Sequence, residues 1–371
     1  MSERPPRDPL KREALAAVKP QAAPAVMRPF IHLRVHSAYS LLEGALPLKK
    51  IVGHAVKDAA PAIAVTDTNN LFGALEFAQY ASKDGVQPIM GCQLDVLFEE
   101  AEAASGRGSR KNGPECLPIV LIAATEAGYA TLVRLVSRAY LENAPGAATH
   151  VRRDWLVQHA EGIICLTGGP RGPVGTALKA DQPALGEARL LFLRQTFGDR
   201  LYVELERLTG YDRAVEAATV ELAYRHELPL VATNEAFFKE AEDFEAHDAL
   251  MAIAEGSVIA VDDRRRLTPD NHLKSQEEMS ALFADIPEAL DSTIEIAMRC
   301  SYYPKNRAPI LPRFTTGEVA SEEDAVKAEA DELRRQAHAG LNDRMEKLGL
   351  AEGFTPDQYR ERLDYELGII E

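Results

Sequence analysis

Short apolar runs alternating with helical stretches constrain this chain more than any other feature. The runs cover 31–35, 62–66, 88–96, 117–123, 162–166, 200–205 and 228–232. Several carry Val and Ile, and several end at Thr, Asp or Asn. Most precede a stretch with helical periodicity, such as 48–57 or 125–142. Such alternation predicts parallel βα units. Seven strands of this kind suggest a barrel-like sheet with helices outside, which carries its chemistry at the C-terminal strand ends. An open doubly wound sheet fits the same pattern, and periodicity does not separate the two.

The pattern is interrupted twice. Residues 99–114 are polar and Gly-rich and read as an exposed loop or insertion. After about Asp262 the apolar strands stop. Residues 287–300 have helical spacing. Ser321, Glu322, Glu323 and Asp324 resemble a capping box that opens a charged helix to about Leu348, and 357–371 is a further helical pattern. That last pattern meets no stop signal, so the sequence is expected to be a piece of a longer chain. At the other end, 1–28 is rich in Ala, Pro and basic residues and is expected to be a flexible leader.

Composition narrows the function. Of 371 residues, 57 are Asp or Glu and 42 Lys or Arg, a net charge of -15. Nucleic-acid affinity rests mostly on cations that displace counterions, so tight DNA binding by this stretch alone is not expected. Cys92, Cys116, Cys165 and Cys300 are scattered and form no Cys-x-x-Cys pair. That argues against a local zinc knuckle or a disulfide framework and fits a reduced, cytoplasmic setting. No run approaches the ~18 apolar residues of a membrane span.

Alternation along the first run places His32, Arg34 and His36 on one face. Glu43 follows in the next loop, and Asp67 ends the second run. A neutral imidazole and hard carboxylate oxygens could hold a divalent metal here. Ordinary hydrogen bonds explain the same residues, and the permanently charged Arg34 repels a cation. Trp155 is expected to pack a helix onto the sheet and His247 to make a structural hydrogen bond. Gly168 and Gly169 read as a plain turn, although their backbone could approach a phosphate.

Residues 32–44, 62–77 (AIAVTDTNNLFGALEF) and 87–96 (QPIMGCQLDV) closely resemble the start of the alpha subunits of bacterial DNA polymerase III, a PHP domain. The resemblance continues through 162–175, 202–210, 228–238, 244–256 and 272–299, and covers roughly 29–371. A translesion relative also begins with a PHP domain, but HLRVHSAYSLLEG and LFADIPEAL look more like the replicative form. The family implies a distorted seven-stranded α/β barrel, similar to a TIM barrel, over 29–274. A linker and the mainly helical start of the polymerase palm would occupy 275–371. The palm aspartates that bind magnesium lie in an Asp-rich motif that this sequence lacks, so no catalytic residue is expected here and the fragment alone should not polymerise.

Active PHP domains hold up to three metals on His, Asp and Glu side chains. By this resemblance His36, Glu43 and Asp67 stand at ligand positions, while Arg34 and Thr68 replace histidines. Gln93 replaces a glutamate and Thr209 a histidine, and Glu235 to Phe237 replaces the final Asp-x-His. A vestigial site follows, with no bound cofactor expected and Arg34 paired to Asp67 or Glu43 in place of metal; the alternative is that Arg34 faces solvent. The resemblance implies a scaffold that docks the proofreading exonuclease subunit and other replicase subunits, with DNA and deoxynucleotides as substrates of the full-length protein. The rival is an active zinc- or manganese-dependent phosphoesterase or 3′–5′ exonuclease using His36, Glu43 and Asp67. A free-standing histidinol-phosphatase-type enzyme fits less well, because such enzymes keep the histidines missing here.

Overall fold

The computed structural model describes residues 28–98, 116–261, 263–309, 314 and 321–370. All but Arg28 of the expected leader, and the whole of the expected 99–114 loop, lie outside them. The described chain falls into two compact units, one ending at Asn306 and one starting at Arg307.

The strands of the first unit are β1 (Ala62–Val65), β2 (Gln87–Leu97), β3 (Cys116–Ala123), β4 (Val151–Arg152), β5 (Ile163–Leu166), β6 (Leu201–Glu206) and β7 (Leu230–Thr233). Its helices are α1 (Leu48–Lys57), α2 (Ala74–Lys83), α3 (Glu126–Leu141), α4 (Arg153–Gln158), α5 (Pro173–Lys179), α6 (Pro183–Phe197), α7 (Arg213–Arg225), α8 (Phe244–Ala254), α9 (Gln276–Leu282) and α10 (Pro287–Arg299). The strands form one curled sheet in the order β1-β2-β3-β5-β6-β7, with β4 on β2. The α/β barrel class expected from the sequence holds, with three differences of detail.

First, the sheet is mixed. β3 runs antiparallel to β2, pairing Gly91 with Ile122 through Leu97 with Cys116, and antiparallel to β5. A parallel neighbour needs a crossover, usually a helix.

Second, 31–35 is extended but is not a regular strand. Side chains take the ladder's place on two of its amides and on that of the residue before it. Phe30 N–H donates to Gln276 Oε1, Ile31 N–H to Thr293 Oγ1 and Val35 N–H to Thr66 Oγ1. The segment still joins the two edges of the sheet. His32 and Val35 carbonyls accept from Ala64 and Thr66 on the β1 side, and His36 N–H donates to Ala236 beyond β7. The short β4, absent from the sequence reading, completes the seven strands.

Third, the first unit runs past the boundary expected after residue 274. α9 and α10 belong to it through Gln276 and Thr293, and through Ile296, Ala297 and Cys300, which join the inner apolar cluster.

That inner cluster explains where the polar site can sit. Ile31, Leu33, Ala62, Ala64, Ile89, Val120, Ile122, Ile164, Leu166, Tyr202 and Val231 fill one part of the curled sheet beside α10. On β6, Tyr202, Glu204 and Glu206 share a face by alternation. On β7, Val231 and Thr233 do the same. The interior therefore passes from apolar to charged toward the C-terminal strand ends. A second cluster fills the space between sheet and helices. It includes the fully buried Trp155 of α4, whose ring lies under the guanidiniums of Arg138 and Arg152 at 4.2 and 4.8 Å. The packing role expected for Trp155 is the one observed.

In the second unit, α11 (Glu322–Leu348) and α12 (Pro356–Ile370) pack on each other. Ser321 caps α11 by accepting from Asp324 N–H, as its capping pattern predicts. Among the described residues no helix is long and apolar enough to cross a membrane.

Candidate functional site

At the C-terminal ends of the strands a charged group is sealed from water. Arg34 is fully buried and is its hub. Its guanidinium donates to Glu204 Oε1 at 3.0 Å, to Glu235 Oε1 at 2.8 Å and to Gln93 Oε1 at 2.8 and 3.2 Å. Glu204 lies on β6, Glu235 just past β7 and Gln93 on β2, so one side chain ties three parts of the sheet together. The Glu204 carboxylate also accepts from Thr233 Oγ1 at 2.6 Å, and Arg171 reaches Glu235 from the turn before α5.

The electrostatics follow from that geometry. Burial opposes the Arg34 charge, but Glu204, Glu235 and Glu206 raise its pKa further above the ordinary arginine value. Burial pushes the Glu235 carboxyl up, yet Arg171 and Arg34, with His36, hold it well below the usual carboxylate range. Glu206 goes the other way. Burial and then the Glu235 charge push it up to about 7, against Arg34.

His36 sits beside this group. Its Nε2 lies 3.4 Å from Glu235 Oε1, and its Nδ1 lies 3.2 Å from Ser40 Oγ and 3.3 Å from Thr68 Oγ1. The Phe237 ring stacks on it with centroids 4.2 Å apart and planes nearly parallel. An aromatic face thus covers the imidazole.

Two retained acids are engaged elsewhere. Asp67 accepts from Ser37 N–H, Ser37 Oγ and Ser40 Oγ, each at 2.7 Å, and so pins the loop after residue 36. Glu43 accepts from Thr68 Oγ1 at 2.8 Å and from Arg265 at 2.5 Å. Burial raises the Glu43 carboxyl, but Arg265 outweighs it and the net direction is down. His247 Nε2 is 2.5 Å from the Glu43 carbonyl, the structural bond expected of it. The loop also needs Gly44, because a Cβ there would lie 1.9 Å from the Ser37 carbonyl oxygen.

Eight of the sequence-derived positions are thus linked: Arg34, His36, Glu43, Asp67, Thr68, Gln93, Glu235 and Phe237. Thr209 is not among them. It is exposed, and its N–H and hydroxyl donate to Asp270. The expected pairing of Arg34 with Asp67 or Glu43 is corrected, since its partners are Glu204 and Glu235. Asp67 is turned to the serine loop and Glu43 to Arg265, and Arg34 does not face solvent. Sequence reasoning missed Glu204, Glu206, Arg171 and Arg265. Acids at alternate positions of the otherwise apolar run LYVELE were the available signal. Gly168 and Gly169 form the turn that carries Arg171, with φ of 83° and 60°.

A metal cluster needs imidazoles and carboxylates with lone pairs free to face it. Here the Asp67 oxygens are taken by serines, Glu43 by Thr68 and Arg265, and a guanidinium lies between Glu204 and Glu235. The residues present do not fit the metals of active PHP domains. Among the described residues no group of three or more His, Cys, Asp or Glu is arranged to hold an ion.

Comparison with known proteins finds a matching family model and similar chains. Residues 32–208 match the family model for the PHP domain. The chain is 43% identical over 343 residues to DNA polymerase III subunit alpha of Caulobacter vibrioides, an alignment covering 92% of this chain and 29% of that protein. It is 36% identical over 345 residues to the same subunit of Escherichia coli K12, covering 92% and 28%. The chain thus spans less than a third of the length of these relatives. Among solved structures, an amidohydrolase from Chromobacterium violaceum is similar at 16% identity and a TM-score of 0.38, covering 56% of this chain and 87% of that one.

Proposed function

We propose that this chain, a relative of the DNA polymerase III alpha subunits whose residues 32–208 are a PHP domain, serves a replicative DNA-directed DNA polymerase as a rigid scaffold rather than as a hydrolase. The observation that carries this reading is the Arg34 guanidinium held between the Glu204 and Glu235 carboxylates. A fixed internal cation there supplies the neutralising charge that metals supply in an active PHP site. It offers no open coordination position for a water nucleophile.

The polymerase chemistry of the whole protein, with magnesium, DNA and deoxynucleotides, is assigned to residues outside this sequence, which lacks the Asp-rich palm motif. Residues 275–371 are read as the linker and palm start, with the unit from Arg307 onward as the candidate palm portion. The role assigned to the PHP unit is to dock the proofreading exonuclease subunit and other replicase subunits. A site that has exchanged metal ligands for Arg34, Thr68, Gln93 and Phe237 keeps its shape without keeping a reaction, as a docking platform requires.

The test mixes the purified chain with the proofreading exonuclease subunit and follows both by size-exclusion chromatography. Co-elution is expected. Separate elution at micromolar concentration would overturn the docking role. The rival phosphoesterase reading predicts instead that the chain alone shortens a 3′-labelled oligonucleotide in the presence of manganese.

A further inference from the structure

Glu43 and Thr68, beside His36, also line a cavity of about 440 Å³ that the scaffold role does not use. The loop after residue 36, the loop after β1, β2, α3 and α8 all contribute to its wall. Leu41, Leu42, Phe72 and Tyr140 line it and are 67%, 53%, 61% and 53% exposed. Large apolar side chains this exposed around one cavity mark a binding surface. The wall is also preformed. Asp67 pins the loop that carries both leucines, and Leu42 is held at a φ of 64°, a left-handed conformation rare for a leucine. A wall already in place loses little entropy when a ligand docks.

One polar group in that wall lacks a partner. Alternation along β2 puts Asp95 on the same face as Gln93, which holds Arg34. Asp95 Oδ2 accepts from Asn69 Nδ2 at 3.1 Å, and Asp95 N–H donates back to Asn69 Oδ1 at 3.2 Å. Among the described residues, Oδ1 has no hydrogen-bond partner and the carboxylate has no ion pair. The residue is partly exposed, and Oδ1 is not sealed from solvent. Burial pushes the Asp95 carboxyl up, against the Asn69 contact. A hydrogen-bond donor entering the cavity finds an acceptor there.

These features select a flat ligand with paired donors. Phe72 and Tyr140 offer aromatic surface on which any base can stack. The Asp95 carboxylate discriminates. Guanine alone among the DNA bases presents two adjacent donors on its pairing edge, N1–H and the 2-amino group. Adenine and cytosine set a ring-nitrogen acceptor beside their amino group, and thymine flanks its one N–H with carbonyls. Each of those turns a lone pair toward the carboxylate. An arginine side chain carries the same donor pair, but it is cationic, and Arg265 already lines the cavity. A neutral base meets no such repulsion.

We propose that this cavity binds a guanine base, stacked against Phe72 and Tyr140 with its N1–H and 2-amino donors on the Asp95 carboxylate. The base comes either as a free nucleoside or as an unpaired residue of single-stranded DNA. The proposal does not rest on the scaffold reading, so exonuclease docking and base binding can fail separately.

The test is a titration of the intact chain with deoxyguanosine, followed by calorimetry and by saturation-transfer NMR. Saturable binding is expected. Deoxyinosine, which lacks the 2-amino donor, should bind about tenfold more weakly, the loss of one hydrogen bond to a charged group. Phe72→Ala should weaken every nucleoside about tenfold, because stacking does not choose among bases. Asp95→Asn should bring deoxyguanosine down to the level of deoxyadenosine and leave the stacking contribution in place. Circular dichroism checks that both variants fold. Oligothymidine carrying one guanine distinguishes the sources: tighter binding than deoxyguanosine assigns the base to DNA, and equal or weaker binding assigns the free nucleoside. No saturable deoxyguanosine binding up to its solubility would overturn the proposal. So would equal affinity for deoxyadenosine, a guanine preference that survives Asp95→Asn, or displacement of deoxyguanosine by a tighter-binding arginine methyl ester, which would make the cavity a basic-peptide site.

Discussion

Replacing Arg34 by alanine tests the physical core of this account. Arg34 is fully buried, and so are the side chains of Glu204 and Glu235, which are 0% and 2% exposed. Solvent screening therefore gives little relief when the cation is removed. Taking one partner from a buried ion pair costs about 3–5 kcal/mol, because the remaining charge is stranded. Gln93 Oε1 also loses its donor, at about 1–3 kcal/mol for a buried acceptor left unpaired. The two costs share one cavity, so they do not add in full, and water entering the hole offsets part of both. A loss of about 3–5 kcal/mol is a large share of the ~5–15 kcal/mol that holds a typical domain together. Arg34→Lys keeps the charge but cannot reach Glu204, Glu235 and Gln93 at once, so a smaller loss of about 1–3 kcal/mol is expected. Urea denaturation followed by far-ultraviolet circular dichroism measures both, with the m-value as a check that the same transition is compared. A loss below about 1 kcal/mol for Arg34→Ala, the scale of a surface pair, would refute the reasoning.

Gly44→Ala places a Cβ 1.9 Å from the Ser37 carbonyl oxygen and should cost at least about 1–3 kcal/mol in the same assay, as overpacking does. The Glu206 carboxyl, pushed up to about 7 in the folded chain against ~4.3 unfolded, favours the protonated form on folding. Its contribution is therefore fully present below the unfolded value and lost as pH rises through 7, so Glu206→Gln should gain stability relative to the native chain between pH 5 and pH 8; a constant difference across that range would contradict the assignment. Burial raises the thiol pKa of Cys92, Cys165 and Cys300, while Cys116 is only half-buried. Thiol labelling of the native chain at pH 8 should therefore show one fast cysteine, and Cys116→Ser should remove it.

The repeated apolar runs made β1, β2, β3, β5, β6 and β7 legible, because buried strands are written locally in Val, Ile and Leu. The same locality hid the rest. Two-residue β4 leaves no run to read. The direction of β3 depends on its connection and not on its composition. Residues 31–35 read as a strand, yet Thr293 and Thr66 replace part of their backbone ladder, and those partners are distant in sequence. Arg34 stood out as a cation at a ligand position, but its partners could not be named, since Glu204 and Glu235 lie 170 and 201 residues away. Local chemistry instead favoured Asp67 and Glu43, which the serine loop and Arg265 had already claimed.

The claim that an internal guanidinium stands where a catalytic metal would be is tested most directly by metal content. The intact chain is equilibrated with zinc and manganese, passed through a desalting column and analysed by plasma mass spectrometry, with 3′–5′ exonuclease activity measured on the same sample. The account predicts metal well below one equivalent per chain and no nuclease above buffer. Stoichiometric zinc or manganese, with nuclease activity that disappears in His36→Ala, would contradict it.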